Sequence, residues 1–239
     1  LDWFEFFYAL KRGVVMDRNP KQYVAQRLEG DTAIDANWDK SIWANMSTGK
    51  LSFFMGKKPD HFPKTQFKVA YNNKYIYVIF KVDDQYIRAV SRGYQASVCL
   101  DSCVEFFFTP GGDISTGYFN LETNCGGTIL MYHQISSGLH SKPLEDQELD
   151  NIEIATSLPS LIANEIVEPT SWTLEYKLPI SILGKYTNVA KPAPGIKWKA
   201  NFYKCGDKTS HPHWLTWSFV DKPNPNFHSP GFFGILAFE

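Results

Sequence analysis

The chain has 239 residues, 44% of them hydrophobic and 21% charged, which excludes disorder as its main state. Lys and Arg number 24 against 25 Asp and Glu, so the net charge is −1 and no basic surplus exists to neutralise the phosphates of a nucleic acid. No apolar run approaches the roughly 18 residues of a membrane span.

Aromatic residues are the unusual feature, with 7 Trp, 12 Tyr and 18 Phe making 15% of the chain. Together with 14 Pro and 16 Gly they predict a β protein with many turns. Flat aromatic faces beyond the needs of a core also suit stacking on a ligand.

Residues 1–21 read as an N-terminal extension, with Trp3, Phe4, Phe6, Phe7 and Leu10 ahead of Arg18-Asn19-Pro20. Residues 22–239 read as one domain. Ile34-Asp35, Trp38 and Trp43 open it as an aromatic segment. From Thr65 to Tyr71 the residues alternate, with Phe67, Val69 and Tyr71 on one face. The turn signal Asn72-Asn73 joins that strand to Tyr75–Val82 as a hairpin. Cys103–Phe108 is a third strand, stopped by Pro110-Gly111-Gly112. Tyr118–Asn124 and Thr128–His133 flank Gly126-Gly127 as a second hairpin. The polar residues 136–150 read as a loop. Trp172, Leu174, Tyr176 and Leu178 alternate with polar residues in a strand ending at Pro179, and Ile180–Leu183 fits one helical turn. Trp198–Lys204, His213–Phe219 and Phe232–Phe238 complete the set. About ten short strands and almost no helical period predict an all-β fold, an antiparallel β-sandwich of jelly-roll, immunoglobulin-like or DOMON-like type.

Strand alternation sorts the side chains. Val104, Phe106 and Phe108 share one face, and Glu105 lies on the other; Phe119 and Leu121 share a face opposite Asn120 and Glu122. Glu105, Asn120 and Glu122 therefore share the outward face of neighbouring strands. Carboxylates beside an amide accept and donate hydrogen bonds in the way a polyhydroxylated ligand requires. The same pair of carboxyls, Glu105 and Glu122, also fits the spacing of a glycosidase pair. Leu215, Trp217 and Phe219 have the parity of a core strand, so Trp214 points away from them.

His211, His213, His228 and Asp207 show no spacing diagnostic of a metal, and no metal ligand is assigned. Asp83, Asp84 and Asp101 are oxygen donors for a structural calcium, without a recognisable loop motif. No other cofactor is implied. The four cysteines read as buried thiols or as thiols plus one disulfide, with Cys103 and Cys125 on neighbouring strands. The first residue is not Met, as expected if an export signal has been removed.

Several segments in order resemble the family-9 carbohydrate-binding modules, especially their Bacteroidetes-type members. These are Ile34-Asp35 with Trp38 and Trp43; Thr65-x-Phe67-x-Val69-x-Tyr71; and Tyr75-Ile76-Tyr77-Val78. Asp101-Ser102-Cys103-Val104-Glu105-Phe106-Phe107 follows, then Tyr118-Phe119-Asn120 and Asn124-Cys125-Gly126-Gly127-Thr128. The last are Asn201–Asp207, Pro212–Trp217, Phe227-His228-x-Pro230 and Phe232-Phe233-Gly234. The resemblance covers roughly residues 22–239 and implies a β-sandwich that binds carbohydrate without cleaving it. In the family two tryptophans sandwich a terminal sugar, helped by a Glu and an Arg. The Glu falls on Glu105. The Arg falls near Asn120, so a cationic donor is missing. One tryptophan falls near Cys99, where Tyr94 is the nearest replacement, and the other falls on Phe227. With Glu122 and Trp214 added from strand alternation, the expected site is Glu105, Asn120, Glu122, Trp214, Phe227 and Tyr94.

Such a module is expected to be secreted, periplasmic or on the cell surface, alongside other glycan-degrading proteins. Two alternatives stand beside it: a glycoside hydrolase using Glu105 and Glu122, and an interaction domain whose sugar site has decayed.

Overall fold

The computed structural model describes residues 19–136 and 140–239. The extension's Trp3, Phe4, Phe6, Phe7 and Leu10 lie outside the described residues. Sixteen strands occur among those described: β1 (Gln22–Arg27), β2 (Gly49–Lys50), β3 (Phe53–Phe54), β4 (Lys64–Tyr71), β5 (Tyr75–Asp84), β6 (Ile87–Ala89), β7 (Cys103–Thr109), β8 (Tyr118–Asn124), β9 (Ile129–Ser136), β10 (His140–Pro143), β11 (Glu153–Thr156), β12 (Ile162–Ile166), β13 (Thr170–Pro179), β14 (Lys197–Cys205), β15 (Trp214–Thr216) and β16 (Gly234–Phe238). Three single-turn helices join them: α1 (Ser41–Ala44), α2 (Asp146–Leu149) and α3 (Ile180–Leu183).

The strands form two layers. The first runs β10-β9-β8-β7-β14-β16-β1, and the second β1-β4-β5-β13-β11. β1 belongs to both: Gln22–Ala25 pair with β16, then Gln26 and Arg27 pair with β4. It runs parallel to both partners, whereas the pairs within each layer, such as β4·β5 and β7·β8, are antiparallel. An all-antiparallel sandwich is thus modified at the one strand that carries the chain between layers.

The inner faces close on an aromatic core. Phe67, Phe80, Trp172 and Tyr176 of the second layer meet Phe106, Phe108, Trp198 and Phe202 of the first, all at most 1% exposed. Phe67 stacks on Phe202 with ring centroids 3.7 Å apart. Removing such rings from water is the main force holding the layers together.

The turns follow their side chains. Oδ1 of Asn72 accepts from the backbone N–H groups of Lys74 and Tyr75 at 2.8 and 2.9 Å, closing the β4–β5 hairpin. At the β8–β9 turn Gly127 has φ +88, and a Cβ on Gly126 would sit 2.6 Å from the Ser160 carbonyl oxygen. Only glycine fits either position.

Several boundaries differ from the sequence expectation. The supposed loop 136–150 holds β10 and α2. β10 is an exposed edge strand, and polar composition is how such an edge avoids further pairing. α2 is fixed by a capping box between Glu145 and Glu148. β15 ends at Thr216, with Phe219 packed against Phe53 outside the main core. Pro230–Phe232 form a 3-10 turn, so the last strand begins at Gly234.

Candidate functional site

A second hydrophobic cluster lies on the outer face of the first layer. Cys103 and Phe107 of β7, Tyr118 of β8, and Tyr203 and Cys205 of β14 project there, beneath Val98, Val220, Phe227 and Phe233 from the covering loops. Alternation along β7 and β8 puts Glu105, Asn120 and Glu122 on this same face. They are not solvated: Glu105 and Asn120 are 2% exposed and Glu122 is 7% exposed.

These groups form a row across three strands. Nε2 of Gln134 on β9 donates to Oδ1 of Asn120 at 3.0 Å, and Nδ2 of Asn120 donates to Oε1 of Glu122 at 3.0 Å. Glu122 sits directly opposite Glu105 across the β7–β8 pair. Sγ of Cys205 donates to Oε1 of Glu105 at 3.1 Å. Gln134 was missed because the sequence strand was ended at His133; one more residue of alternation would have found it.

Burial raises Glu122 to about 7, against the lowering effect of its bond from Asn120. Glu105 is pushed well above the carboxylate range by burial first and by Glu122 second. Two carboxyls side by side in a dry place do not both ionise. Near neutral pH the pair therefore offers a proton donor and an acceptor next to each other. Both stand on the same covered face of one sheet, directly opposite each other, and neither is more than 7% exposed.

Trp214 opens β15 opposite Cys205, half-buried against the same cluster. Burial raises the Asp207 carboxyl, against the lowering influence of the Trp214 side chain. Oδ1 of Asp207 is buried without a partner. Phe227 reaches the cluster too, but one face of its ring is taken by Tyr203, stacked at 4.2 Å, and it is 8% exposed. Tyr94 is exposed, with its hydroxyl donating to Asp150 at 2.6 Å, just past α2. Two open hollows of about 260 and 470 Å³ lie elsewhere, beside the Asn72-Asn73 turn and beside Trp217, and none of the six residues lines them.

The histidines considered for a metal do not converge. His213 meets Lys204, His211 stacks on Tyr86, and His228 meets Tyr118. The calcium candidates also separate: Asp83 pairs with Lys64, Asp84 with His61 and Lys204, and Asp101 with Arg88. The donors that do converge are Cys103, Glu105 and Cys205. Cys205 stands about a hundred residues from the other two, so no local spacing announces them. All four cysteines are free thiols, and Cys103 faces Cys205, while Cys125 turns into the main core.

Residues 42–238 match the model of carbohydrate-binding family 9. The chain belongs to that family. Among solved structures, a candidate carbohydrate-binding protein from Bacteroides uniformis ATCC 8492 is 30% identical, with a TM-score of 0.83 over 92% of this chain and 100% of that one. A family-9 module from Caldicellulosiruptor kristjanssonii, solved with glucose, is 13% identical, with a TM-score of 0.60 over 92% of this chain and 96% of its own. The same module solved with cellotriose gives the same identity and TM-score over 92% and 94%. At that identity the Caldicellulosiruptor likeness is one of fold. No curated protein matches the chain.

Proposed function

We propose that this protein binds oligo- or polysaccharide without cleaving it, in support of glycan breakdown. The observation that carries the reading is the buried row Gln134–Asn120–Glu122–Glu105 beside half-buried Trp214, on a family-9 sandwich. A sugar edge seeks alternating donors and acceptors, which this row supplies, and a sugar face seeks an aromatic plane. Trp214 is the aromatic best placed for stacking, with Phe227 and Tyr94 as outer contacts. The family-9 modules solved with glucose and with cellotriose support gluco-oligosaccharides as the first ligands to try. Because glycan polymers lie outside the cell, we place the protein in the periplasm, on the surface or in the medium, acting beside glycan-degrading enzymes.

Calorimetric titration with glucose, cellotriose and a panel of plant and host oligosaccharides tests this, with each sample checked afterwards for cleavage. Saturable heat without products is expected. Trp214→Ala is expected to weaken binding by about 1–3 kcal/mol, the scale of one lost stacking platform. Cleavage products would overturn the non-catalytic reading and return attention to Glu105 and Glu122. Silence across the panel would overturn carbohydrate binding and favour an interaction domain.

A further inference from the structure

β7 and β14 place Cys103 directly opposite Cys205. Alternation along β7 puts Glu105 on the same face, two residues from Cys103. Both Sγ atoms and a carboxylate oxygen of Glu105 lie within 4.8 Å of one another, and none of the three residues is more than 2% exposed. Cys99 packs against this cluster and is partly exposed, and its carbonyl accepts from Sγ of Cys205 at 3.5 Å.

The group is acidic throughout. Beyond Cys103, Cys205 and Glu105 it continues into Glu122; burial disfavours the charged form of Cys103, Glu105 and Glu122, and contact with Cys103, then burial, that of Cys205. Lys204, the neighbour of Cys205 on β14, does not serve it: its ammonium is directed to His213 at 2.7 Å and Asp84 at 3.4 Å. Two buried thiols and a carboxyl that converge without a cation are a donor set with an evident complement.

We propose that Cys103, Cys205 and Glu105 bind one zinc-class divalent ion, with its fourth position turned toward Cys99. Two sulfurs in three donors favour a thiophilic ion over calcium or magnesium, which take oxygen. In a tetrahedral zinc site, with Zn–S about 2.3 Å and Zn–O about 2.0–2.2 Å, donors stand roughly 3.3–3.8 Å apart. No pair of the three atoms needs to close by more than about 1 Å to reach it, and the 3.1 Å contact of Cys205 Sγ with Glu105 Oε1 would open slightly. On binding, each thiol and Glu105 releases its proton to solvent; no electron moves and no bond between protein atoms forms. The inference does not rest on the carbohydrate reading.

The test uses the whole protein, reduced and stripped with a chelator, then titrated with Co²⁺ and afterwards with Zn²⁺. One Co²⁺ per chain is expected, with a thiolate-to-cobalt charge-transfer band and tetrahedral d–d bands that Zn²⁺ bleaches. Cys205→Ser and Cys103→Ser should each remove about half the charge-transfer intensity and weaken binding at least about tenfold. Glu105→Gln should weaken binding while leaving both thiolate contributions, which keeps the proposal testable if a cysteine variant fails to fold. Cys125→Ser, in the main core, should leave the spectrum unchanged. Zn²⁺ should also protect Cys103 and Cys205 from air oxidation. Absence of a thiolate band, binding unaffected by Cys205→Ser and Glu105→Gln, or a Cys103–Cys205 disulfide forming equally fast with and without Zn²⁺ would each overturn it.

Discussion

Glu175 on β13 and Glu105 on β7 occupy matching places in the two layers. Each points out of its sheet, away from the core, and each is covered by loops until at most 2% of it is exposed. Their surroundings are opposite. Glu175 accepts from the backbone N–H groups of Asp35 and Ala36 at 2.9 Å each, and from Nε1 of Trp43 at 3.0 Å. It also pairs with the Lys40 ammonium at 2.9 Å. Ala36 takes φ +57 where the chain bends around that carboxylate, a conformation that costs about 1 kcal/mol or more outside glycine. Glu105 receives one thiol and faces a second carboxyl. A buried charge whose donors are complete is a structural tie; one whose donors are missing is poised to accept them from something else. Burial does not separate the two, but the count of donors does.

That contrast can be broken most forcefully at Glu175. Glu175→Ala leaves Lys40, Trp43 Nε1 and two backbone N–H groups without their acceptor, and should cost about 3–5 kcal/mol in urea-melt stability. Ligand affinity per folded molecule should not change. Next in size is an acid limb arising at neither glutamate. His213 is buried, with Nε2 accepting from the Lys204 ammonium and Nδ1 donating to the His211 carbonyl. Burial first and Lys204 second push it from 6.5 down to about 3. Unfolded chain gains that proton near pH 6.5, whereas folded chain resists until about pH 3. Stability is therefore fully present above pH 6.5 and lost as pH falls through that window, by roughly 2–4 kcal/mol. Asp84 adds to the loss at still lower pH, since Lys204 and His61 hold it well below the carboxylate range despite its burial. Melts of wild type and His213→Asn across pH 3–8 check this; an unchanged slope in the variant would assign the limb elsewhere.

Glu105→Gln sharpens the comparison from the other side. Removing a carboxyl that burial already opposes should move stability by no more than about 1 kcal/mol, in either direction. Carbohydrate affinity should nevertheless fall about fivefold, on the scale of one lost hydrogen bond of about 1 kcal/mol. Equal stability costs at Glu105 and Glu175 would remove the distinction drawn between them. The smallest effect is expected at Tyr94→Phe, which loses only the exposed bond to Asp150 and should change melting by about 0.5 kcal/mol or less.

The sandwich was legible because its alternation is strict. Phe67-x-Val69-x-Tyr71 and Trp172-x-Leu174-x-Tyr176-x-Leu178 line the core as their parity requires. Parity also put Glu105, Asn120, Glu122 and Trp214 on the outer face. It said nothing of the loops that cover that face, which is why residues expected in solvent are buried. Phe227 shows the same limit: its ring was assigned by position in a motif, but its stacking partner Tyr203 lies on a strand 24 residues earlier, and nothing local links the two. The facing of Cys103 and Cys205 is likewise a product of strand order. β7 and β14 become neighbours only once the intervening chain has added β8, β9 and β10 to the first layer and β11 and β13 to the second.

Strand order has one more consequence, at β1. Gln22 pairs with Ile235, so the first described strand waits for a partner more than two hundred residues later before its register in the first layer exists. Until then β1 can only lean on β4 through Gln26 and Arg27. A ribosome releasing this chain from the N-terminus would hold an unsealed seam between the two layers until β16 emerges. Closure across so long a loop is a late, slow event in folding, typical of sheets built from distant pairings. The nascent sandwich is then exposed along one edge until β16 has been made.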